Sequence, residues 1–444
     1  MLGLGYALYY IQYLSTIILR MLSPLWLISG LLSCWVPITN TMADTLSLTL
    51  PQAEAQFVDR NLNLIATKFS ISESKAYEIQ ARLRNNPSVY FEQMPYNHIT
   101  REVLPLKQSN SQQTLQLQQL LLLAGKRQKQ YALAQIRTDI AADRFYDLVH
   151  TLKYQLRSTF YDLHYAQQSQ AVYEEEIRSL QRTVDVYQQQ YEKGNVPLKD
   201  LSRLKAYLFN LTIEQQQLQR RIVEDQAALA VLLNTSPSTA FRPVISLTDI
   251  ESLNPASLQT DSLFALAARS RYDLKAFADE TRQEEQNWAL QRALAIPDLT
   301  LQATYDRNGS YIPNYIGVGV GVNLPVFNKN QGNIQAAKIR IQGSQQAYKA
   351  YRLQVEAEVQ QAFTKVQQTD LLFRRFDKRF NEGFGRLIEG VVLNYQKRNI
   401  DVVEFIDFFE SYKNVQVQYN QLQNDRLQSL EELNLATGSI LLGQ

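Results

Sequence analysis

Residues 126 to 192 contain neither glycine nor proline. Their apolar residues recur at steps of three and four: Ile136, Ile140, Leu148, Leu152, Leu156, Phe160 and Leu163, then Leu180, Val184, Tyr187 and Tyr191. This is the period of an amphipathic helix. At 1.5 Å per residue the helix is roughly 100 Å long, far beyond a globular helix. It stops at Lys193-Gly194-Asn195-Val196-Pro197, and the chain returns as a helix over 199 to 233. A second stretch from about Gln331 to Lys397 repeats the pattern, turns at Arg398-Asn399-Ile400-Asp401 and returns from Val402 to Ala436. Rods of this length need partners along their whole extent.

Past residue 44 no run reaches 18 consecutive apolar residues. If the mature chain enters a membrane it must therefore do so as strands. Leu299 to Tyr305 alternates apolar and polar residues, and Ile316 to Leu324 alternates branched residues with Gly or Asn. A polar turn with Asn308-Gly309-Ser310 joins them, which predicts a hairpin with one face for lipid and one small, polar face. Ser88 to Met94 and Leu115 to Leu120 form a weaker pair around a longer loop.

The two halves match each other. Asn63-Leu64, Ala66 and Pro87 correspond to Asp273-Leu274, Ala276 and Pro297 at an offset of 210. Beyond the hairpins, Leu120, Ala132, Tyr191, Asn195 and Gln217-Leu218-Gln219 correspond to Leu324, Ala336, Tyr395, Asn399 and Gln421-Leu422-Gln423 at 204. One unit, copied and then shortened by six residues across a surface loop, leaves this pair of offsets. The expected units are 44–235, with a hairpin at about 87–122 and a helix pair at 125–233, and 259–444, with a hairpin at about 297–326 and a helix pair at 331–436. Pro237, Pro243 and Pro255 mark 236–258 as a linker. At offset 204, Leu115 and Leu117 fall opposite Gly319 and Gly321, which predicts a bulge in one strand.

Residues 1–43 differ from the rest. Met1 to Ile38 carries one charge, Arg20, and residues 22–36 are short for a spanning helix. They read as an export signal cleaved after Thr41-Met42-Ala43, with a retained anchor as the alternative. Leu31-Leu32-Ser33-Cys34 approximates a lipobox, so Cys34 is either a lipidation site or an apolar residue discarded with the signal. The net charge of +2 gives no overall field for nucleic acid, and one Cys excludes a disulfide framework. His150 and His164, fourteen residues apart, lie roughly 21 Å from each other along the helix and cannot share a metal. Gly125-Lys126-Arg127 lacks the rest of a phosphate loop and reads as a basic cluster where the first hairpin meets the long helix. No nucleophile–base pair or nucleotide fingerprint is present, so no catalysis and no cofactor are expected.

Four strands cannot close a barrel, whereas three copies supply twelve strands around an open lumen. A soluble coiled-coil scaffold would leave both hairpins exposed. The fold class is therefore a mixed α and β membrane protein, a duplicated helix–β-hairpin–long helix–helix unit. At this point the chain resembles the TolC family of outer-membrane efflux proteins, close to the cation-efflux type, over residues 46 to 440. The resemblance rests on Leu48-Thr49-Leu50-Pro51-Gln52-Ala53-Glu54-Ala55, on Ile296-Pro297-Asp298-Leu299 leading to Tyr305, and on Leu324-Pro325-Val326-Phe327-Asn328-Lys329-Asn330-Gln331-Gly332-Asn333-Ile334. It implies a homotrimer with a 12-stranded barrel in outer-membrane lipid and a periplasmic α-helical barrel. Its implied partners are a periplasmic adaptor and an inner-membrane pump, commonly of the RND class. A type I secretion duct has the same fold.

The resemblance also makes the helical turns the periplasmic tips, with Gly194, Asn195, Leu198, Asp200, Arg398, Asn399 and Ile400 docking the adaptor. Glu404 and Asp407 fall on the positions of an acidic constriction ring. Acids in a first helical turn also favour the helix dipole, which is a sufficient reason for Asp200 and Glu404. Some members latch the tip through an Asp, a Tyr and an Arg. Asp200 and Tyr395 match the first two; Ile400 stands at the Arg position, Arg398 replaces the second tip's Gly, and Arg398 is the candidate substitute cation.

Overall fold

The computed structural model describes residues 45–107, 111–245, 255, 258–308, 312–375 and 390–441. The leader with Cys34 lies outside them, as do the greater part of 246–257 and residues 376–389.

Strand β1 (Thr45–Thr49) runs into helix α1 (Leu50–Arg60). The start is set by a capping box in which the Thr49 backbone N–H donates to Gln52 Oε1 at 3.0 Å, with Pro51 in the first turn, where a missing N–H costs nothing. The sequence predicts one helix over 51–85, ended by Asn85-Asn86-Pro87, but the chain breaks at Asn61 and resumes as α2 (Leu62–Arg82). Asn61 is extended and 2% exposed. Its side chain accepts from the Leu64 N–H at 3.1 Å and donates to Leu232 O at 2.9 Å, so a distant carbonyl stabilises the break.

The chain continues through β2 (Ser88–Gln93), the short β3 (Tyr96–Asn97) and β4 (Glu102–Val103), and β5 (Gln113–Leu121). Helix α3 (Lys126–Glu192) is unbroken over 67 residues, and α4 (Leu198–Leu233) returns alongside it. Within the expected linker, β6 (Ala240–Val244) pairs in parallel with β1. The same order then recurs: α5 (Thr260–Ser270), a break at Arg271, α6 (Tyr272–Leu294), β7 (Leu299–Asn308), β8 (Pro313–Val322), α7 (Gln331–Arg375), helical residues 390–396, and α8 (Val402–Thr437). Among the described residues no helix is long and apolar enough to cross a membrane.

The main sheet has the order β2-β5-β7-β8, antiparallel throughout. Its registers run without interruption, so the expected bulge is absent. Leu117 shares a cross-strand row with Val89, Ala303 and Val318, not with a glycine. Matched at their ends, β5 and β8 are offset by 201 (322 − 121), not 204, because residues 122–125 lead from β5 to α3 but the longer segment 323–330 leads from β8 to α7. One face then carries Val89, Phe91, Leu115, Leu117, Leu301, Tyr305, Ile316, Val318, Val320 and Val322, all exposed, with Val318 at 89%. The other face carries Ser88, Gln116, Gln118, Thr300, Gln302, Thr304, Gly317, Gly319 and Gly321.

Helix α3 is the spine, against which α2, α4, α6 and α8 pack, while α7 lies on α6 and α8. One core gathers Leu156, Phe160 and Leu163 with Phe57, Leu233, Phe241, Val359 and Phe363. A second, toward the helical turns, gathers Leu180, Val184, Leu204, Leu211, Phe405 and Phe409. Arg157 is buried in the first, bonded to Glu54 and to Glu431 Oε1 at 3.0 Å.

Sheet and spine are joined by a buried charge. Lys126, the first residue of α3, is 2% exposed and donates to Ile296 O at 2.6 Å and Asp298 Oδ1 at 2.7 Å. Asp298 Oδ1 also accepts from the Leu123 N–H at 2.9 Å, tying both strand–helix junctions to one carboxylate. The expected basic cluster at this junction is thus an ion pair built from both halves. Asp298→Asn, which leaves a buried ammonium uncompensated, should cost roughly 3 kcal/mol in chemical denaturation. Lys126→Met/Asp298→Asn should recover most of that loss, because no unpaired charge remains.

Candidate functional site

The two helical turns are built alike. After α3, the Gly194 N–H donates to Tyr191 O at 2.9 Å and the Asn195 N–H to Gln190 O at 2.9 Å. After residues 390–396, the Arg398 N–H donates to Tyr395 O at 3.0 Å and the Asn399 N–H to Asn394 O at 2.9 Å. Both asparagines fold their amides back, Asn195 onto Gln190 at 2.8 Å and Asn399 onto Asn394 at 3.0 Å. These bonds satisfy carbonyls that a helix end otherwise leaves orphaned. The closure needs a left-handed residue, which is Gly194 at φ 73° in the first turn and Arg398 at φ 64° in the second. Arginine pays a steric penalty there that glycine does not.

The helices leaving the turns start differently. Helix α4 follows Pro197, with no side-chain cap and with Asp200 in its first turn. Helix α8 starts at Asp401, whose Oδ1 accepts from the Val403 and Glu404 N–H groups at 2.7 and 2.9 Å. These two bonds, that from Glu404 first, hold the Asp401 carboxyl below its ordinary range. Glu404 Oε2 in turn accepts from the Asp401 N–H at 3.3 Å, so Glu404 completes a capping box while remaining exposed. Asp407, one turn further on, is exposed. Asp401 is the residue that sequence reading passed over; its signal was the Asp-x-x-Glu spacing.

Tyr395 is 2% exposed and lies between two rings, stacked on Tyr187 at 5.0 Å and on Phe405 at 4.2 Å. Burial first, then the Tyr187 hydroxyl and the charges of Asp200 and Asp401, push its phenol upward. Of the expected latch, Asp200 and Tyr395 are therefore electrostatic neighbours, whereas Arg398 forms no ion pair with any described residue. Leu198 and Asn399 are exposed and Ile400 half-buried against the second core. The two histidines are remote: His164 Nδ1 lies 2.9 Å from Pro243 O, and His150 packs beside Tyr272.

Residues 263–372 match the family described as Outer membrane efflux protein. The chain is 22% identical over 317 residues, 69% of its length and 70% of the relative's, to Cobalt-zinc-cadmium resistance protein CzcC of Cupriavidus metallidurans. Among solved structures it is similar to the CmeC outer membrane channel of Campylobacter jejuni, with TM-score 0.71 and 14% identity over 89% of this chain and 86% of that one. It is likewise similar to CusC, with TM-score 0.70 and 16% identity over 88% and 92%. Through residues 263–372 the chain resembles the outer-membrane efflux family, and along most of its length it has the fold of solved outer-membrane channels. Its mixed helical and stranded architecture is that of those channels.

The contrast between the two turns is testable. Gly194→Ala should raise hydrogen exchange of the Asn195 amide, reflecting a cost of about 1–2 kcal/mol. Arg398→Gly should slow exchange of the Asn399 amide, as it relieves a strain of similar size.

Proposed function

We propose that three copies of this chain form a passive exit duct, and the observation that carries this reading is the open sheet. Its apolar face is exposed along its length, and strands of nine and ten residues fit the roughly 9–11 needed to cross a bilayer. Its edges, β2 and β8, have no partner strand among the described residues. In lipid those edges must be paired, which only closure achieves. Two copies would give eight strands, whose interior side chains fill; three is the smallest number that leaves a water-filled lumen.

The helices support the same closure. Helix α2 leads into edge strand β2 and edge strand β8 leads into α7, so pairing β8 of one protomer with β2 of the next brings these two helices side by side. Each has a free stripe at alternating steps of three and four. On α2 it is Leu62, Ile65, Phe69, Ser72, Ala76 and Ile79, all exposed. On α7 it is Gly332, Ala336, Ile339, Gly343, Gln346, Ala350 and Leu353, also exposed, and a Cβ at either glycine would meet nothing within 4 Å. Large residues on one stripe answer small ones on the other, as a knobs-into-holes seam requires.

In this reading the helical turns are the periplasmic tips. Gly194, Asn195, Leu198, Asp200, Arg398, Asn399 and Ile400 form the surface for a periplasmic adaptor, and substrate comes from an inner-membrane pump of the RND class. Three Glu404 and three Asp407 carboxylates ring the narrow end and favour cations. Arg398, carrying an unpaired charge at a strained position, reaches a neighbouring protomer and completes the latch with Asp200 and Tyr395. Adaptor contact parts the return helices and widens the ring. The likeness to a cobalt-zinc-cadmium resistance protein favours metal cations over drugs as cargo.

A strain lacking the gene should become sensitive to cobalt, zinc and cadmium salts and not to dyes, detergents or antibiotics, with rescue by the wild type. Glu404→Gln/Asp407→Asn should still assemble but show a lower cation-to-anion permeability ratio in bilayers. Sensitivity to drugs alone would assign the duct to a drug pump; sensitivity to neither class would overturn the reading.

A further inference from the structure

Above the tips lies a buried polar cluster that the duct reading leaves without a role. Glu176 sits on α3, sixteen residues or roughly 24 Å before its end. It is 3% exposed, and neither carboxylate oxygen has a hydrogen-bond partner among the described residues. Opposite it on α8 is Lys413, 5% exposed, which donates to Glu214 Oε2 on α4 at 2.7 Å. The Tyr173 hydroxyl donates to the same Glu214 oxygen at 3.2 Å, and the Lys413 ammonium lies 6.0 Å from the Tyr173 ring centre. Tyr207 of α4 presents a second buried oxygen without a partner.

The return helices α4 and α8 both pack on α3, α8 on α7 as well, and they meet each other at few points. The Lys413–Glu214 pair spans that gap directly. It joins the first half of the chain to the second, between the two helices that must separate if the tips open. We propose that Glu176, Glu214 and Lys413 form a proton-dependent bolt that holds the tunnel closed, with a neutral Glu176 in the closed state and release of its proton on opening. This inference rests on the duct reading and adds a means of regulating it.

The charge balance gives the reason. With Glu176 neutral, one ammonium faces one carboxylate, and the pair is compensated. With Glu176 ionised, two buried carboxylates share one ammonium, and the oxygens of Glu176 have no donor to replace water. Burial pushes Glu176 up to about 8, with Lys413 opposing the rise and Glu214 adding to it. The remaining titratable neighbours do not reverse this. Glu410 and Tyr412 on α8 and Glu175 on α3 supply negative or neutral groups, and Tyr207 and Tyr173 are themselves raised by burial first. When α4 and α8 part, water reaches Glu176 and its affinity for the proton falls toward that of an ordinary carboxyl. Opening therefore releases a proton, and the open-to-closed ratio rises with pH. The rise is up to about tenfold per pH unit per protomer, and it levels off above about 8, where the closed state has lost its proton too.

The test is single-channel recording of the full mature protein in planar bilayers across this range, with infrared spectra of the same preparations. The wild type should open more often as pH rises and reach a plateau near 8. It should also show a protonated-carboxyl band at neutral pH that titrates away. Glu176→Gln, which fixes the neutral form in the same shape, should stay closed at every pH and lose that band. Glu214→Gln, which removes the partner of Lys413, should raise open probability at low pH. A conducting channel whose pH dependence and carboxyl band survive in Glu176→Gln overturns the bolt alone. A trimer that conducts nothing at any pH or in any variant overturns the duct reading, and the bolt with it.

Discussion

An antiparallel sheet of four strands ends in two rows of unpaired backbone groups, and in hydrocarbon each unpaired group costs several kcal/mol. This constraint governs the molecule. In the proposed duct the apolar face made by Val318, Ile316, Leu117 and Val89 meets lipid, and lipid requires that β2 and β8 be paired. Because α2 feeds β2 and α7 leaves β8, the closure of the sheet also dictates which helical faces meet between copies. In the proposed trimer the stripes at Phe69 and Ile79 and at Gly343 and Ala336 would be the helical continuation of the strand seam.

Long amphipathic helices have a second problem, which is sliding. A seam of Leu, Ala and Val at heptad spacing is nearly as good one turn out of register, and the penalty for a slip has to come from elsewhere. In this chain buried ions at the helix contacts supply it. Arg157 lies between Glu54 and Glu431, Arg426 meets Asp370 at 2.9 Å, Lys413 meets Glu214, and Lys126 meets Asp298 where spine and sheet join. Each joins elements far apart in sequence, and a one-turn slip would leave each ion buried without its partner. Such pairs add little net stability, but they fix register. The same cost of an unpartnered buried charge gives the proposed Glu176 bolt its leverage, since neither carboxylate oxygen has a hydrogen-bond partner among the described residues.

The parts legible in the sequence were those with a local period. The unbroken run from Lys126 to Glu192 announces the spine, and the alternation from Ile316 to Leu324 announces a hairpin strand. Where an offset measured on helices was carried into strands, the reading failed. Leu117 was placed against Gly321 and a bulge inferred, although the extra residues lie in 323–330 and the register is continuous. The break at Asn61 went unseen because its stabilising carbonyl, Leu232 O, is 171 residues away. Lys126 and Asp298 could each be named as part of a motif, but their pairing across 172 residues has no local signal. At the turns, Asp200, Tyr395 and Glu404 were singled out by resemblance. The left-handed backbone of Arg398 emerges only from the geometry, whereas the cap made by Asp401 has a local signal, its Asp-x-x-Glu spacing.

The claim on which the rest depends is that one chain is a third of a closed barrel. The most direct test is the mass of the detergent-solubilised mature protein by native mass spectrometry, which counts chains in the particle. A single species of three chains, without monomer or higher ladder, is the predicted result. A stable monomer, or an open series beyond three, would contradict it, because the edges at β2 and β8 would then be managed in some way other than closure.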